Sequence, residues 1–116
     1  MALFYLELTA NPVTEVSTPI TALNAVTAEL GAERLQNINE LTYYIVGGAG
    51  ITVGAVQAEE AHVAGYAGTW AANGSPVTVV ANAVKTIKVT GVSKAARIRV
   101  STLIDGAGIT VFALGR

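Results

Sequence analysis

The chain has no cysteine and few charged residues, and both shortages narrow what it can be. Without cysteine it has no disulfide, no thiolate metal ligand and no thiol nucleophile. Only 13% of its residues are charged, against about 25% in a typical globular domain. We therefore expect part of its surface to be covered by partner subunits.

Long hydrophobic runs are also missing, although 52% of the residues are hydrophobic and the mean hydropathy is +0.52. The best candidate span, residues 43–56, contains Thr52 and several glycines and is shorter than the roughly 18 apolar residues that a membrane helix needs. The opening residues, Met1 to Glu7, lack the basic leader of a signal peptide. We expect no membrane partner and synthesis in the cytoplasm.

The charged residues are distributed unevenly along the chain. The net charge is -1, so no general attraction to nucleic acid is expected. Seven of the eight acidic residues lie in the first 60 positions, and six of the seven basic residues lie at or after Lys85. Two interpretations stay open: early and late strands pair within one sheet, or an acidic face of one copy meets a basic face of another.

A period of two dominates the chain from Leu41 onward, where Leu41, Tyr43 and Ile45 share one face of a strand. Short alternating segments rich in Val, Ile and Thr recur, separated by glycine-containing turns. They are Ile51–Val53, Val77–Val80, Ile87–Thr90, Ile98–Thr102 and Ile109–Phe112. This pattern predicts an all-β fold: a single antiparallel, jelly-roll-like β-sandwich of about eight short strands with an extended N-terminal arm.

One six-residue segment occurs twice, as Gly48–Val53 and as Gly106–Val111, both reading Gly-Ala-Gly-Ile-Thr-Val. Each copy follows an alternating strand and opens another. Two copies are too few for a solenoid, which needs at least about three repeats. The sequence therefore predicts two hairpins in equivalent places of two sheets.

The first part of the chain is less regular, and we divide it into an arm, residues 1–19, and a sandwich domain, residues 20–116. Pro12 and Pro19 cannot donate ladder hydrogen bonds, so we expect the arm to lie outside the sandwich core. Its apolar residues then need a partner surface, which makes them candidate interface residues: Leu3, Phe4, Tyr5 and Leu6. Residues 20–30 are predicted as a strand, although the Ala, Leu and Glu content of residues 21–34 also suits a helix.

Arg97 and Arg99 complete the candidate interface. On a strand they share one face, while Ile98, Val100 and Thr102 take the other face. We expect the apolar face to be core and both arginines to point outward, where they could contact a partner.

Few residues suggest chemistry. His62 is the only histidine, and with Glu59 and Glu60 it makes at most half of a metal site. Adjacent carboxylates on a strand point to opposite faces, which does not suit acid–base catalysis. We expect no catalytic residue, no metal and no cofactor.

Trp70 and Tyr66 have two interpretations, a platform for stacking sugars or a buried aromatic anchor, and the buried anchor is favoured.

The order of segments from Leu41 to Arg116 resembles small β-sandwich structural proteins of tailed bacteriophages, of the capsid decoration (cement) or head-fibre class. The resemblance is carried by four pieces in order. They are Tyr43–Val56, Gly65–Trp70, Val84–Val89 and Ala96–Thr102 before the last glycine turn. Such domains often have an Asp-Gly turn before the aromatic segment. This chain departs from the pattern, because it has Glu59 to His62 there.

The resemblance implies a non-enzymatic virion structural protein that binds the outer surface of a capsid. Its partners would be further copies of itself, with a trimer as the first expectation, and the major capsid protein. Its location would be the capsid surface of a virion, after synthesis in the host cytoplasm. The alternative function is a carbohydrate-binding module that uses Trp70 and Tyr66.

Overall fold

The computed structural model of the protein describes residues 4–9, 20–90 and 94–116. In these residues it has one helical turn and seven strands. The elements in chain order are β1 (Phe4–Glu7), α1 (Ala32–Leu35), β2 (Glu40–Gly47), β3 (Val53–Ala61), β4 (Ala71–Thr78), β5 (Val84–Thr90), β6 (Ala95–Asp105) and β7 (Ile109–Gly115). Across the described part of the chain, no helix has the length and apolar character needed to cross a membrane.

The strands form two antiparallel sheets that pack into a sandwich. The four-stranded sheet has the order β1-β7-β2-β5, and the three-stranded sheet has the order β4-β3-β6. Every pairing between strands is antiparallel. The predicted all-β sandwich is confirmed.

The segment 20–30 lies along the outer edge of β6, but it does not form a regular strand. It bridges β6 at Val26 and at Leu30, and Ile104 N–H donates to the carbonyl of Thr21. Asn24 has a positive φ of 67°, which interrupts any continuous ladder. The predicted strand is therefore irregular, and α1 begins only after it.

Counting this segment as an eighth strand gives four strands in each sheet, in the arrangement of a jelly roll. The segment also joins the two sheets along one side. Ile20 bridges Ile109 of β7, and Ala28 N–H donates to the carbonyl of Leu8. The edge of β6 is therefore partnered by this segment, and Ile20 continues the pairing of β7 beyond β1.

The core follows from the alternation of the strands. Leu41, Tyr43 and Ile45 are at most 1% exposed, as are Ile98 and Val100, so the predicted core face of β2 and most of that of β6 are confirmed. Thr102 was predicted to share this face but is exposed. The register explains the difference: Val56 pairs with Val100 and Ala55 with Thr102, so one extra residue of β6 bulges out between them. A bulge reverses the alternation beyond it, and a second register shift between Ala55 and Val53 restores the alternation, so that Ile104 is again in the core.

The N-terminal strand contradicts part of the predicted arm. Phe4 to Glu7 pair with residues Phe112 to Gly115 of β7, and Phe4 and Leu8 belong to the hydrophobic core. Gly115 makes room for this arrangement, because a Cβ there would lie 2.2 Å from the ring of Phe4. The expectation that residues 1–19 lie outside the core is therefore wrong for residues 4–9. Both prolines, and the rest of the arm, lie outside the described residues.

The two copies of the repeated segment lie beside each other and are not hairpins. Each links strands of different sheets, the first joining β2 to β3 and the second β6 to β7. Gly48 N–H donates to the carbonyl of Gly108, and a Cβ on Gly106 would meet the carbonyl oxygen of Gly50 at 2.0 Å. Gly50 and Gly106 also have φ of 93° and 95°, a conformation that glycine adopts without steric cost. The predicted hairpins are therefore replaced by two paired crossovers at one end of the sandwich.

A matched pair of leucine truncations tests whether the N-terminal strand belongs to the core. Leu8 is 2% exposed and Leu103 is 53% exposed. Leu8→Ala should lower the free energy of unfolding by about 2–5 kcal/mol, the usual cost of a leucine cavity, and Leu103→Ala by less than about 1 kcal/mol. Urea unfolding followed by Trp70 fluorescence measures both. Equal, small losses would mean that the N-terminal segment does not pack in the core.

Candidate functional site: an aromatic sheet face

The outward face of the four-stranded sheet carries aromatic and apolar side chains where polar ones are usual. Alternation turns Tyr5, Tyr44, Phe112 and Leu114 away from the core, and we call the outward side of this sheet the aromatic face. Register arranges its residues in rows across β1, β7, β2 and β5. The rows are Tyr5–Leu114–Thr42–Lys88, Glu7–Phe112–Tyr44–Thr86 and, on three strands, Thr110–Val46–Val84.

Three rings of the aromatic face contact one another. Tyr5 stacks on Phe112 with ring centroids 5.8 Å apart and planes 5° apart. The same tyrosine meets Tyr44 edge to face at 6.4 Å. Such pairs contribute about 0.5–1.5 kcal/mol beyond the area that they bury, yet Tyr5 is still 59% exposed. Tyr5 therefore packs against the other two rings while more than half of its own surface stays exposed, and Tyr44 and Phe112 are half-buried.

Charged residues lie around these rings. Glu7 is on β1 at one side, and its carboxylate accepts a hydrogen bond from Thr9 Oγ1 at 3.0 Å. Lys88 is exposed on β5 at the opposite side. At the end of the sheet, Arg116 Nε lies 3.3 Å from Glu40 Oε1. An apolar centre with a polar rim is the composition of protein–protein interfaces.

The outward face of the three-stranded sheet has a different character, because it holds a buried ion cluster. Glu59 on β3 is 5% exposed. Arg97 Nε donates to Glu59 Oε1 at 3.0 Å, and Arg99 Nε donates to Glu59 Oε2 at 2.9 Å. Arg97 lies on β6, directly opposite Glu59 in the register of the two strands. Early acidic and late basic residues therefore pair within the sheet, which is the first of the two interpretations of the charge distribution.

Trp70 belongs to this cluster and not to the main core. It is 5% exposed and packs with Ala61 and Ala95 in a separate small group. Its indole N–H donates to the carbonyl of Tyr66 at 2.9 Å, and the Arg97 guanidinium lies 4.0 Å from the ring centroid. The favoured interpretation, a buried aromatic anchor, is confirmed. The anchor lies outside the main core, where it holds residues 62–70 against the outward face of the three-stranded sheet.

A shallow groove of about 300 Å³ opens at the same end, lined by Glu60, His62 and Tyr66 among others. The ring of His62 meets that of Tyr66 edge to face at 4.8 Å. Glu60 is near the core residue Tyr43, whose hydroxyl pKa is raised far above its ordinary value, first by burial and then by this carboxylate. Within residues 4–9, 20–90 and 94–116 no group of three metal-ligating side chains occurs.

The predicted interface residues have different positions in the structure. Phe4 is buried in the core, and Leu6 is half-buried against it. Tyr5 alone of the predicted N-terminal interface residues is seen on the aromatic face. Leu3 lies outside the described residues. Arg97 and Arg99 are outward, as predicted, but both bind Glu59, so their role in an interface stays a prediction.

Tyr44 and Phe112 were not among the predicted site residues, although the sequence contained a signal for them. Both alternate with core residues, since Tyr43 and Ile45 flank Tyr44 while Val111 and Ala113 flank Phe112. An aromatic residue on the face opposite a buried set is the signal. That β2 and β7 are neighbours, and that the two rings share a row, depends on the pairing of distant strands.

Comparisons of the chain with protein-family models, with curated proteins and with solved structures gave no match. The geometry of the aromatic face and of the Glu59 cluster is therefore the structural basis for a functional proposal. Among the described residues, the aromatic face keeps apolar side chains exposed, whereas the carboxylate and the arginines of the Glu59 cluster pair with one another.

Substitution of the two arginines tests the energetics of the Glu59 cluster. Arg97→Ala and Arg99→Ala should each cost about 1.5–3 kcal/mol, because each removes a hydrogen bond to a charged group. The double variant should lose more than the sum, by about 0.5–3 kcal/mol, since the buried carboxylate then has neither arginine. Adding Glu59→Gln to the double variant should recover part of the loss, because a neutral amide costs less to bury. Urea unfolding followed by circular dichroism measures all four proteins, and additive losses would contradict the shared cluster.

Proposed function

We propose that this chain is a non-enzymatic virion structural protein that decorates or cements a capsid, and that it binds a neighbouring subunit through the aromatic face. The observation that carries the proposal is the contiguous set of exposed and half-exposed apolar side chains on this face. Surfaces of this kind, rimmed by polar residues, mark interaction sites in soluble proteins. Tyr44 and Phe112 lie at its centre, and aromatic side chains are enriched at such centres.

The composition and the fold support the same proposal. A chain with 13% charged residues has too few of them to make its whole surface polar. Burial of the aromatic face against a subunit removes the least polar part of that surface from water. The jelly-roll arrangement is an architecture of viral capsid domains, although lectins and cupins also use it. This second point is an analogy at the level of the fold.

The sequence resemblance to capsid decoration and head-fibre proteins adds the partner and the location. It covers Leu41 to Arg116, which includes β2 and β7, the two central strands of the aromatic face. On this basis we propose further copies of this chain and the major capsid protein as partners, and the capsid surface of a virion as the location.

The alternative of a carbohydrate-binding module receives less support. A stacking platform needs an open ring face, and Trp70 is 5% exposed beneath the guanidinium of Arg97. Tyr66 is half-buried and contacts His62. The aromatic face is the better supported binding surface.

Purified particles test the proposed function. Density-gradient fractions from cells that express the chain should contain it at a constant ratio to the major capsid protein, as measured by quantitative mass spectrometry. Tyr44→Ser combined with Phe112→Ser should reduce the particle-bound fraction at least about tenfold, as for the central residues of an interface. The matched control is Val53→Ser with Val63→Ser, which removes two exposed valines away from the face and should leave incorporation unchanged.

Absence of the wild-type chain from particles would overturn the proposed function. Equal incorporation of both double variants would instead show that the aromatic face is not the surface that holds the chain in the particle. Thermal unfolding of both variants, followed by Trp70 fluorescence, checks that each remains folded.

A further inference from the structure

Each row of the aromatic face is complementary to the same row of a second copy of the chain, when that copy is rotated by 180°. The face has β1 and β5 at its sides and β7 and β2 in the middle. A two-fold axis that lies in the interface and runs parallel to the strands, between β7 and β2, places β7 of one copy over β2 of the other. The same axis places β1 over β5, and it keeps every row over itself. Each residue therefore faces its own row partner from the second copy.

The central rows become aromatic and apolar contacts under this operation. Phe112 is the register partner of Tyr44, so Phe112 of each copy faces Tyr44 of the other. In the next row, Leu114 faces Thr42, which is only 2% exposed, so Leu114 supplies the contact surface of that row. Two inner faces about 10 Å apart interdigitate their side chains in this way in β-sandwiches.

The charged residues are matched by the same axis. Arg116 and Glu40 adjoin at one end of the sheet, so Arg116 of one copy faces Glu40 of the other, and four charges of alternating sign come together. Lys88 faces the exposed ring of Tyr5, a suitable cation–π partner, and lies one row from Glu7. Among the residues of the face that the structure describes, none meets a like charge.

The other in-plane two-fold axis, perpendicular to the strands, does not match the charges. It reverses the order of the rows, so that Arg116 faces Thr110 and Glu40 faces Val46. Both charges would then lose water without a partner of opposite sign from the second copy, which is unfavourable. The pattern of charges thus selects one of the two arrangements.

We infer that the occupant of the aromatic face is a second copy of this chain, packed face to face about the two-fold axis parallel to the strands. This inference rests on the proposal that the face binds protein, and it names the partner. The four strands of the face, β1, β7, β2 and β5, have 4, 7, 8 and 7 residues, so at about 3.4 Å per residue and about 4.8 Å per strand the face covers roughly 420 Å². Two copies together then cover about 850 Å², which is below the roughly 1,000 Å² of a stable specific interface. The dimer should therefore be reversible, with a dissociation constant in the micromolar range.

Sedimentation equilibrium of the purified full chain tests the inference over protein concentrations from about 5 to about 500 µM. The mass should rise reversibly from 11.9 kDa to twice that value. Tyr44→Ser should weaken dimerisation at least about tenfold, whereas Val53→Ser on the other sheet should not. Trp70 fluorescence reports that each variant is folded, because Trp70 lies on the three-stranded sheet.

A charge exchange tests the axis. Lys88→Glu and Glu7→Lys should each weaken the dimer by about fivefold or more, because each places like charges in adjoining rows. The double variant restores opposite charges and should return to within about twofold of wild type. Lys94→Glu makes the same charge change at an exposed position just before β6 and should have no effect.

A monomer at every concentration would overturn the inference, and a trimer would overturn the two-fold axis. A dimer that tolerates Tyr44→Ser would mean that another face is used, and failure of the charge exchange to restore binding would exclude this arrangement. These outcomes are separate from the particle experiment. A dimer that never enters particles contradicts only the proposed function, and a particle-bound chain that stays monomeric in solution, or that contacts the capsid protein through the aromatic face, contradicts only the dimer.

Discussion

The pairing of β2 with β7 is the constraint on which the rest of the sandwich depends. It joins residues 41–47 to residues 109–115, and its inward side chains are among the least exposed in the protein. With this register set, β1 adds to the free edge of β7 and β5 to that of β2. The two glycine crossovers then meet at the end where β2 leaves the sheet and β7 enters it. A single long-range pairing thereby fixes the core and the rows of the outward face.

The outward faces of the two sheets are stabilised in opposite ways. On the three-stranded sheet, a buried carboxylate binds two arginines, and one of those arginines covers the only tryptophan. The carboxylate and both arginines of this cluster are paired within the chain. On the four-stranded sheet, three rings contact each other but stay partly exposed. This difference is why we place the binding surface on the aromatic face. It is also why we expect the charged residues around the rings to contribute to binding.

Several features could be predicted from the sequence, and others could not. The period of two located β2, β5, β6 and β7 and the inward residues of β2, and it put Arg97 and Arg99 outward, but it reached only the ends of β3 and β4. It misplaced Thr102, because a one-residue bulge in β6 reverses alternation and leaves no local mark. The N-terminal residues were read as an assembly arm because they are apolar and precede prolines. A strand that completes its own sheet has the same composition, so only its partner, β7, distinguishes the two.

Local periodicity and composition by themselves determined that the chain is an all-β sandwich with few charges and no thiol chemistry, since these properties depend on neighbouring residues and on residue counts. The tertiary structure alone decided which distant segments meet. It decided that the repeated glycine segments pair as crossovers, that Glu59 binds both arginines, and that Tyr44 and Phe112 share a row. Sequence alternation assigns a residue to a face of its own strand. The order of strands in the sheet, which depends on long-range backbone pairing, determines what lies beside it.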